Sequence, residues 1–133
     1  MINEVKNEIQ KDSNGMIPLP DHMKFEELFR PRRPTEGGFL ETYASNVVVC
    51  FSAKWCGPCQ TLNKKLLVEL TPDVTWYSVD IDQNKTSLGY AGCNGIPAFC
   101  IIKDGTFKDR KVGASSSTDV LSWLQRNEVP VNI

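Results

Sequence analysis

Two cysteines with only two residues between them, Cys56 and Cys59, are the strongest chemical signal in the sequence. At this spacing one helical turn places both sulfur atoms on the same side, where they can form a disulfide and break it again. Gly57, between them, keeps the approach to Cys56 open. Pro58 suits the first turn of a helix, because the N–H that proline lacks would have no partner there. The pattern predicts a dithiol that exchanges electrons with other disulfides.

The residues on either side of the pair predict how it is held. The apolar run 47–52 predicts a strand buried on both faces, and residues 57–70 predict a helix with leucines along one side. Cys56 would then lie where a helix begins, and the unpaired backbone N–H groups there favour a negatively charged sulfur. Trp55 would cover one flank of the pair and offer a flat apolar contact surface.

The same arrangement predicts the order of the reaction. Cys56 is the expected nucleophile, which attacks a substrate disulfide and forms a mixed disulfide with it. Cys59, the less exposed cysteine, is the expected resolving residue, which attacks Cys56 and releases the reduced substrate. The pair is left as a disulfide and must be reduced before the next cycle.

A structural zinc site is the main alternative for such a pair, and the rest of the sequence argues against it. Zinc needs about four ligands, yet the chain has no second CxxC, and His22 is its one histidine. We therefore expect no metal and place His22 at the surface. Cys50, Cys93 and Cys100 lie in apolar or glycine-rich stretches, which favour buried free thiols. Cys93 has a second interpretation, as a regulatory or dimer-forming thiol near the active face.

Length, charge and cysteine usage limit the remaining classes. A chain of 133 residues fits one domain. Its net charge of −1 argues against a nucleic-acid-binding or membrane-surface protein, and no apolar run approaches the roughly 18 residues of a membrane span. Five cysteines and an N-terminus without a secretory pattern favour a reducing compartment, so we expect a cytoplasmic protein.

The order of the predicted elements defines an α/β fold class. From the apolar run onward the chain reads strand, helix, strand, helix, strand, strand, helix. The first part requires a parallel crossover, whereas Asp104-Gly105 predicts a hairpin and an antiparallel pair. We therefore predict a mixed central sheet of four to five strands with helices on both faces. Thr118 is predicted to cap a last helix over 118–127, and the tail from residue 129 to fray.

The first part of the chain differs in composition from this regular part. Residues 1–35 are predicted to form an N-terminal extension of short helices and loops, and residues 36–133 to form the main domain. Within the extension, a proline-rich stretch at 17–19 predicts an edge strand, and Asp21 is predicted to cap a short helix. A further short helix is predicted over 39–45.

Around and beyond the cysteine pair the sequence resembles the thioredoxin family. The likeness spans roughly residues 38–127, and it is carried by Phe51-Ser52-Ala53-Lys54 before WCGPC, Val79-Asp80-Ile81-Asp82-Gln83-Asn84, Gly95-Ile96-Pro97-Ala98-Phe99, Lys103-Asp104-Gly105 and Lys111-Val112-Gly113-Ala114. The resemblance implies a thioredoxin fold and a monomeric protein-disulfide reductase. It also implies a redox-active Cys56–Cys59 disulfide with no other bound cofactor. The implied partners are disulfide-containing proteins as substrates and a thioredoxin reductase, a flavoprotein, as electron donor.

The resemblance further implies a substrate groove. Pro97 is expected to be cis and to face Cys56, so that the Ile96 backbone can pair with an extended substrate segment. An ordinary proline at the start of a strand is the alternative. The implied substrate-binding residues are Trp55, Gly95, Ile96, Pro97 and Gly113. The residues expected to support the cysteine pair are Trp55, Gly57, Pro58 and Cys50.

Three positions depart from the family pattern. Thioredoxins usually carry a buried aspartate where this chain has Cys50, and a lysine near it where this chain has Ser78. That carboxylate is thought to help move the proton off the second cysteine, so we expect proton transfer at Cys59 to rely on water or on Cys50 itself. Lys64 stands where the family usually has a proline that kinks the active-site helix. This helix is therefore expected to be straighter, unless packing bends it.

Two other functions fit parts of the sequence. One is a thioredoxin-fold binding subunit, which would bind a partner and use the pair little or mainly as a redox switch. The first 35 residues and the absence of the usual Asp and Lys favour this interpretation. An oxidase or isomerase is the third possibility, but the Gly-Pro dipeptide and the missing secretory pattern argue against it. The redox potential of the pair separates a reductase from an oxidase, because about −270 mV is typical of thioredoxins and about −120 mV of a strong oxidant. Deleting residues 1–35 tests the binding subunit, because activity on a small disulfide should then persist while association with the partner is lost.

Replacing Cys50 with aspartate tests the expected role of the missing carboxylate. Cys50→Asp restores a carboxylate near Cys59, and we expect the reduction of insulin disulfides near neutral pH to become faster than in the wild type. An unchanged or lower rate would show that the missing carboxylate does not limit the reaction.

Overall fold

The computed structural model describes residues 10–29 and 46–132. Its five strands are β1 (Ile17–Pro18), β2 (Asn46–Ser52), β3 (Val74–Asp80), β4 (Ala98–Lys103) and β5 (Thr106–Val112). Its helices are α1 (His22–Glu26), which continues as a 3-10 turn over Glu27–Phe29, α2 (Gly57–Thr61), α3 (Lys64–Glu69), α4 (Thr86–Tyr90) and α5 (Ser117–Arg126). The strands form one mixed sheet in the order β1-β3-β2-β4-β5, which confirms the predicted architecture.

The central strand β2 is buried because it has a neighbour on each side and a core on each face. It pairs in parallel with β3, where Cys50 lies opposite Ser78, and antiparallel with β4, where Cys50 lies opposite Phe99. Successive side chains alternate between the two cores, with Val48 on one face and Val49 on the other. The uninterrupted apolar run predicted this double burial.

Each face of the sheet has its own hydrophobic core. One core packs α3 and α5 on the sheet through Leu67, Leu121 and Leu124. The other core packs α1 and the residues around α4 on the opposite face, through Phe25, Leu88 and Ala91. The predicted helical layers on both faces are therefore present.

The N-terminal segment that the structure describes lies on the sheet. β1 pairs in parallel with the edge of β3, and the N–H of Leu19 donates to the carbonyl of Ser78 at 2.8 Å. The Asp21 carboxylate accepts from the N–H of Lys24 and caps α1, as predicted. Phe25 is fully buried. The predicted boundary at residues 35 and 36, and the predicted helix over 39–45, lie outside the described residues.

The prediction that His22 is a surface residue is wrong. Its side chain is only partly exposed, and its Nδ1 lies 2.8 Å from the hydroxyl of Ser87, which is fully buried. Its Nε2 lies 3.3 Å from a carboxylate oxygen of Glu26, one turn later on α1. Ser87 also accepts from the side-chain amide of Asn84 at 2.8 Å, so His22 joins α1 to the start of α4 through a buried polar network.

The prediction of a continuous helix over 57–70 is wrong, and packing bends this segment, which is the stated exception to a straighter helix. α2 ends at Thr61, and Leu62 leaves the helical conformation with φ −70° and ψ 136°. A new helix starts because the Asn63 side chain accepts from the N–H of Leu66 at 3.0 Å. The hydroxyl of Ser117 accepts from the Asn63 N–H at 3.0 Å and donates to the Asn63 carbonyl at 3.3 Å. Packing against the start of α5, and not a proline, therefore breaks the helix.

In the C-terminal part the helix cap and the tail differ from the prediction, and the hairpin agrees with it. α5 is capped by Ser116, whose hydroxyl accepts from the Asp119 N–H at 3.2 Å, and not by Thr118. The tail is docked and not frayed, because Val129 is 2% exposed and the N–H of Asn132 donates to the Leu70 carbonyl at 2.6 Å. The hairpin between β4 and β5 turns as predicted, at Asp104 and Gly105, both with positive φ.

Truncating Phe25 measures how strongly the N-terminal segment is attached. The Phe25 ring lies 5.9 Å from the rings of Phe51 and Tyr90, centroid to centroid. We expect Phe25→Ala to lower the free energy of unfolding by about 3–5 kcal/mol, since a buried aromatic side chain is lost. Urea denaturation measures this change. Met23→Ala, on the same helix but 72% exposed, is the control and should change it by less than about 0.5 kcal/mol.

Candidate active site

The cysteine pair lies where β2 leads into α2, as predicted. Cys56 and Cys59 are joined by a disulfide, with their Cα atoms 5.3 Å apart. Cys56 is the residue that precedes α2, and its Sγ accepts from the N–H of Cys59 at 3.3 Å. Its own N–H donates to the carbonyl of Ala53 at 3.1 Å. Because α2 has only five residues, this local N–H, rather than a long helix dipole, favours a charged sulfur at Cys56 in the reduced protein.

The two sulfur-bearing side chains differ in their access to solvent. Cys56 keeps 5% of its surface exposed, and Cys59 keeps none. Pro58 lies in the first turn of α2. A methyl group added at Gly57 would meet no protein atom within 4 Å apart from its neighbours in the chain, so the space at Gly57, next to Cys56, is open. An approaching disulfide therefore reaches Cys56 before Cys59.

Trp55 presents a large apolar surface beside the pair. Its side chain is 66% exposed. The indole N–H of Trp55 lies 3.1 Å from each carboxylate oxygen of Asp82, which follows β3. The other two tryptophans are buried, with Trp76 donating to the Thr71 hydroxyl and Trp123 to the Asp109 carboxylate. Trp55 is thus the tryptophan that faces solvent, and Asp82 holds its ring in place.

The loop before β4 completes the surroundings of the disulfide. The Ile96–Pro97 peptide bond is cis, which confirms the expectation for this proline. Ile96 packs against the cluster of Ala53, Cys56 and Cys59. The Pro97 carbonyl accepts from the N–H of Gly113 at 2.6 Å. The structure therefore brings the cis loop and the end of β5 to the cysteine pair.

The last member of the predicted groove, Gly95, lies beside the side chain of Val112. A Cβ atom at Gly95 would be 3.5 Å from a methyl group of Val112, which is 45% exposed. Sequence reasoning missed Val112 and the contact of Asp82 with Trp55. The register supplies a signal for Asp82, since Ser52 lies opposite Asp80 in the parallel pair of β2 and β3. The residues that follow β2 and β3 must therefore lie close together, at the carboxyl ends of these two parallel strands.

Three further cysteines are buried free thiols. Burial raises the pKa of Cys50 to about 11; the positive charge of Lys64 lowers it in part, and Asp12 raises it further. Burial also raises the pKa of Cys100 and of Cys93. At neutral pH Cys50 keeps its proton and cannot accept another from Cys59. Of the two routes expected from the sequence, this argues against Cys50 and leaves water.

Neither a metal cluster nor a membrane helix is found in the parts of the chain that the structure describes. Within residues 10–29 and 46–132, no group of three or more His, Cys, Asp or Glu side chains could hold a metal ion. No helix in those same ranges is long and apolar enough to cross a membrane.

Comparison with known proteins identifies the family. The family model described as Thioredoxin matches residues 38–126. The chain belongs to the thioredoxin family. It is therefore a thiol–disulfide oxidoreductase, with the Cys56–Cys59 disulfide as its redox-active group, and it has the thioredoxin fold.

Individual relatives agree with this assignment. The thioredoxin of Rickettsia conorii is 32% identical over 84 residues, which cover 61% of this chain and 80% of the relative. The H-type 1 thioredoxin of Nicotiana tabacum is 41% identical over 89 residues, which cover 65% and 70%. The X-ray structure of Fasciola hepatica thioredoxin superimposes with a TM-score of 0.65 at 31% identity, covering 84% of this chain and 99% of that one. Thioredoxins act on disulfide-containing proteins and are reduced again by a reductase.

The raised pKa of Cys50 predicts a loss of stability at high pH. This thiol ionises near its ordinary value of 9.0 in the unfolded chain and at about 11 in the folded protein, so rising pH stabilises the unfolded chain first. The free energy of unfolding of the oxidised protein should therefore fall above about pH 9, with about 1 kcal/mol lost at pH 10 through Cys50 alone. Urea denaturation from pH 7 to 10.5 checks this. Cys50→Ala should show a flatter dependence, and equal slopes in the two proteins would contradict the assignment.

Proposed function

We propose that this protein reduces disulfides in other proteins, with Cys56 as the attacking cysteine and Cys59 as the resolving one. The observation that carries the proposal is the position of the Cys56–Cys59 disulfide. It lies at the start of α2, between the exposed Trp55 and the Ile96–Pro97 loop. The alternative, a binding subunit that uses the pair mainly as a switch, is not favoured by the family assignment.

The proposed cycle begins with the reduced pair. The Cys56 thiolate attacks one sulfur of the substrate disulfide, forms a mixed disulfide with it and releases the other sulfur as a thiolate, which takes a proton from solvent. Cys59 loses its proton and attacks Sγ of Cys56, which releases the second substrate sulfur. Two electrons pass to the substrate, and the protein returns to the disulfide form described above.

The substrate groove is proposed to lie between Trp55, the loop at Gly95 to Pro97, and Gly113. In this groove the Ile96 backbone pairs with an extended substrate segment. The ring of Trp55 would cover one side of that segment, and its hydrogen bond to Asp82 keeps the ring ready for contact. Support for this role comes from the contacts that hold Ile96 against the pair and Gly113 against Pro97.

We also propose the electron donor, the oligomeric state, the compartment and the role of residues 1–35. The electron donor is a thioredoxin reductase, a flavoprotein, and the protein acts as a monomer in the cytoplasm. The three free thiols at Cys50, Cys93 and Cys100 support a reducing compartment. Residues 1–35 are proposed to be an N-terminal extension of the main domain, and their described part stabilises the edge of β3 through β1.

The insulin-disulfide assay tests the proposed function. Cys56→Ser removes the nucleophile and should lower turnover, with a thioredoxin reductase and NADPH as electron source, to the uncatalysed background. Cys93→Ala is the matched control, because it removes a buried cysteine outside the pair, and it should keep most of the wild-type rate. Turnover that survives Cys56→Ser would overturn the proposal.

A further inference from the structure

The reaction requires proton exchange at a sulfur that solvent does not touch. Each time the pair is oxidised, the Cys59 thiol loses a proton, and each time it is reduced, the sulfur gains one. Cys59 has no exposed surface. A thiol in such a place holds its proton tightly unless nearby charge favours the thiolate. The charges that can reach Cys59 therefore bear on how fast the pair works.

A cavity of about 210 Å³ lies next to residues that pack on or adjoin the cysteine pair. Among its lining residues are Ala53, which packs in one cluster with Cys56 and Cys59, and Gln60, which follows Cys59 in the chain. The side-chain amide of Gln60 donates to the carbonyl of Ala53 at 2.8 Å and closes this end of the cavity. The cavity is large enough for several water molecules. It thus connects the neighbours of Cys59 with more distant polar groups.

Four charged side chains line this cavity, and each comes from a different part of the fold. They are Asp12 from the turn before β1, Lys54 from the loop after β2, Lys64 from the start of α3, and Asp80 from the end of β3. Asp80 is engaged at its strand end, where it accepts from the N–H of Asp82 at 2.9 Å. Lys54 and Asp12 are both exposed residues, whereas Lys64 is partly buried. Asp12 and Lys64 are the two whose charges act on the cavity wall at Cys50.

The backbone holds both of these residues at the cavity. Asp12 is fixed in its turn, because its Oδ1 accepts from the N–H of Asn14 at 2.9 Å and from the N–H of Met16 at 3.0 Å. Lys64 is the first residue of α3, and the break at Asn63 that starts this helix places it there. A continuous helix would give residue 64 a different direction. The segment before β1 and the start of α3 thus both contribute lining residues to the cavity.

We propose that Lys64 and Asp12 act through this cavity as opposing charges that set how readily Cys59 loses its proton, with Lys64 favouring the loss and Asp12 opposing it. The proposal rests on the proposed function, since it concerns the resolving step of that reaction. Both are positioning residues, because they act on Cys59 through the cavity and do not touch the reacting sulfur atoms. The proton itself leaves through water, and no further reactant is needed.

The buried thiol of Cys50 shows the same two opposing influences. Apart from burial, Lys64 has the largest effect on the pKa of Cys50 and lowers it, whereas Asp12 raises it. Cys50 lines the cavity. Cys59 packs in one cluster with Ala53, which lines the same cavity, so we expect the two charges to act on Cys59 in the same directions as on Cys50. The larger influence is expected from Lys64.

The test is the pKa of Cys59 measured directly. In full-length protein carrying Cys56→Ser, Cys59 titrates without its coupled partner, and the Cβ shift of ¹³C-labelled cysteine reports its ionisation. In this background, Lys64→Gln should raise the pKa of Cys59 by about half a unit to one unit, and Asp12→Asn should lower it by a smaller amount. In the protein with both active-site cysteines, the pH profile of insulin reduction should move in the same two directions.

Matched variants separate charge from structure. Asp12→Asn keeps the oxygen that accepts from Asn14 and Met16, so the turn is retained. Lys64→Arg keeps the positive charge and should leave the pKa of Cys59 close to that of the parent protein. Lys65→Gln and Asp73→Asn, which do not line the cavity, should leave the pKa unchanged. Urea denaturation of each variant checks that the fold is intact.

The two substitutions must shift the pKa in opposite directions. Shifts of the same sign, or shifts no larger than those of Lys65→Gln and Asp73→Asn, would overturn the proposal. If the variants still reduce insulin while the pKa of Cys59 does not move, the proposed function stands and only the role of Lys64 and Asp12 fails. If the wild-type protein itself does not reduce insulin, the proposed function fails.

Discussion

The burial of β2 is the constraint on which the active site depends. This strand is hydrogen-bonded to a neighbour on each side and covered by a core on each face, so it cannot shift without breaking both cores. Its end at Ser52 therefore has one position. The carbonyl of the next residue, Ala53, accepts a hydrogen bond from the N–H of Cys56. α2 then begins with the disulfide in place. A mobile strand would leave the sulfur atoms without a fixed direction, and rate and specificity in disulfide exchange depend on direction.

The N-terminal segment contributes more than extra length. β1 covers the outer edge of β3, and α1 packs Phe25 into the second core. The turn that precedes β1 brings the Asp12 carboxylate to the cavity that Cys50 lines. Part of a segment that differs in composition from the rest of the chain thus adds a charge near the buried Cys50 thiol. The family pattern relies on groups at the Cys50 and Ser78 positions, whereas here Asp12 and Lys64 come from a turn and a helix outside the sheet.

Features set by neighbouring residues could be predicted from the sequence, whereas features set by distant partners could not. The apolar run of β2, the Asp104-Gly105 turn and the cysteine pair before a proline each carry a local signal. The break at Asn63 was missed because the hydroxyl that holds it comes from Ser117, 54 residues away. The role of His22 was missed because its partner Ser87 lies 65 residues further along the chain. The cis form of Pro97 was expected only from family resemblance, since an X–Pro bond has no local mark of its isomer.

The exposure of Trp55 has an optical consequence. The other two tryptophans are buried and hydrogen-bonded, so a binding partner that leaves the fold intact does not reach them. Trp55 stands next to the disulfide with its ring in solvent. A change in the oxidation state of the neighbouring sulfur atoms, or an arriving partner that covers the ring, alters the emission of this one indole. The protein therefore carries its own fluorescent reporter at the place where its chemistry occurs.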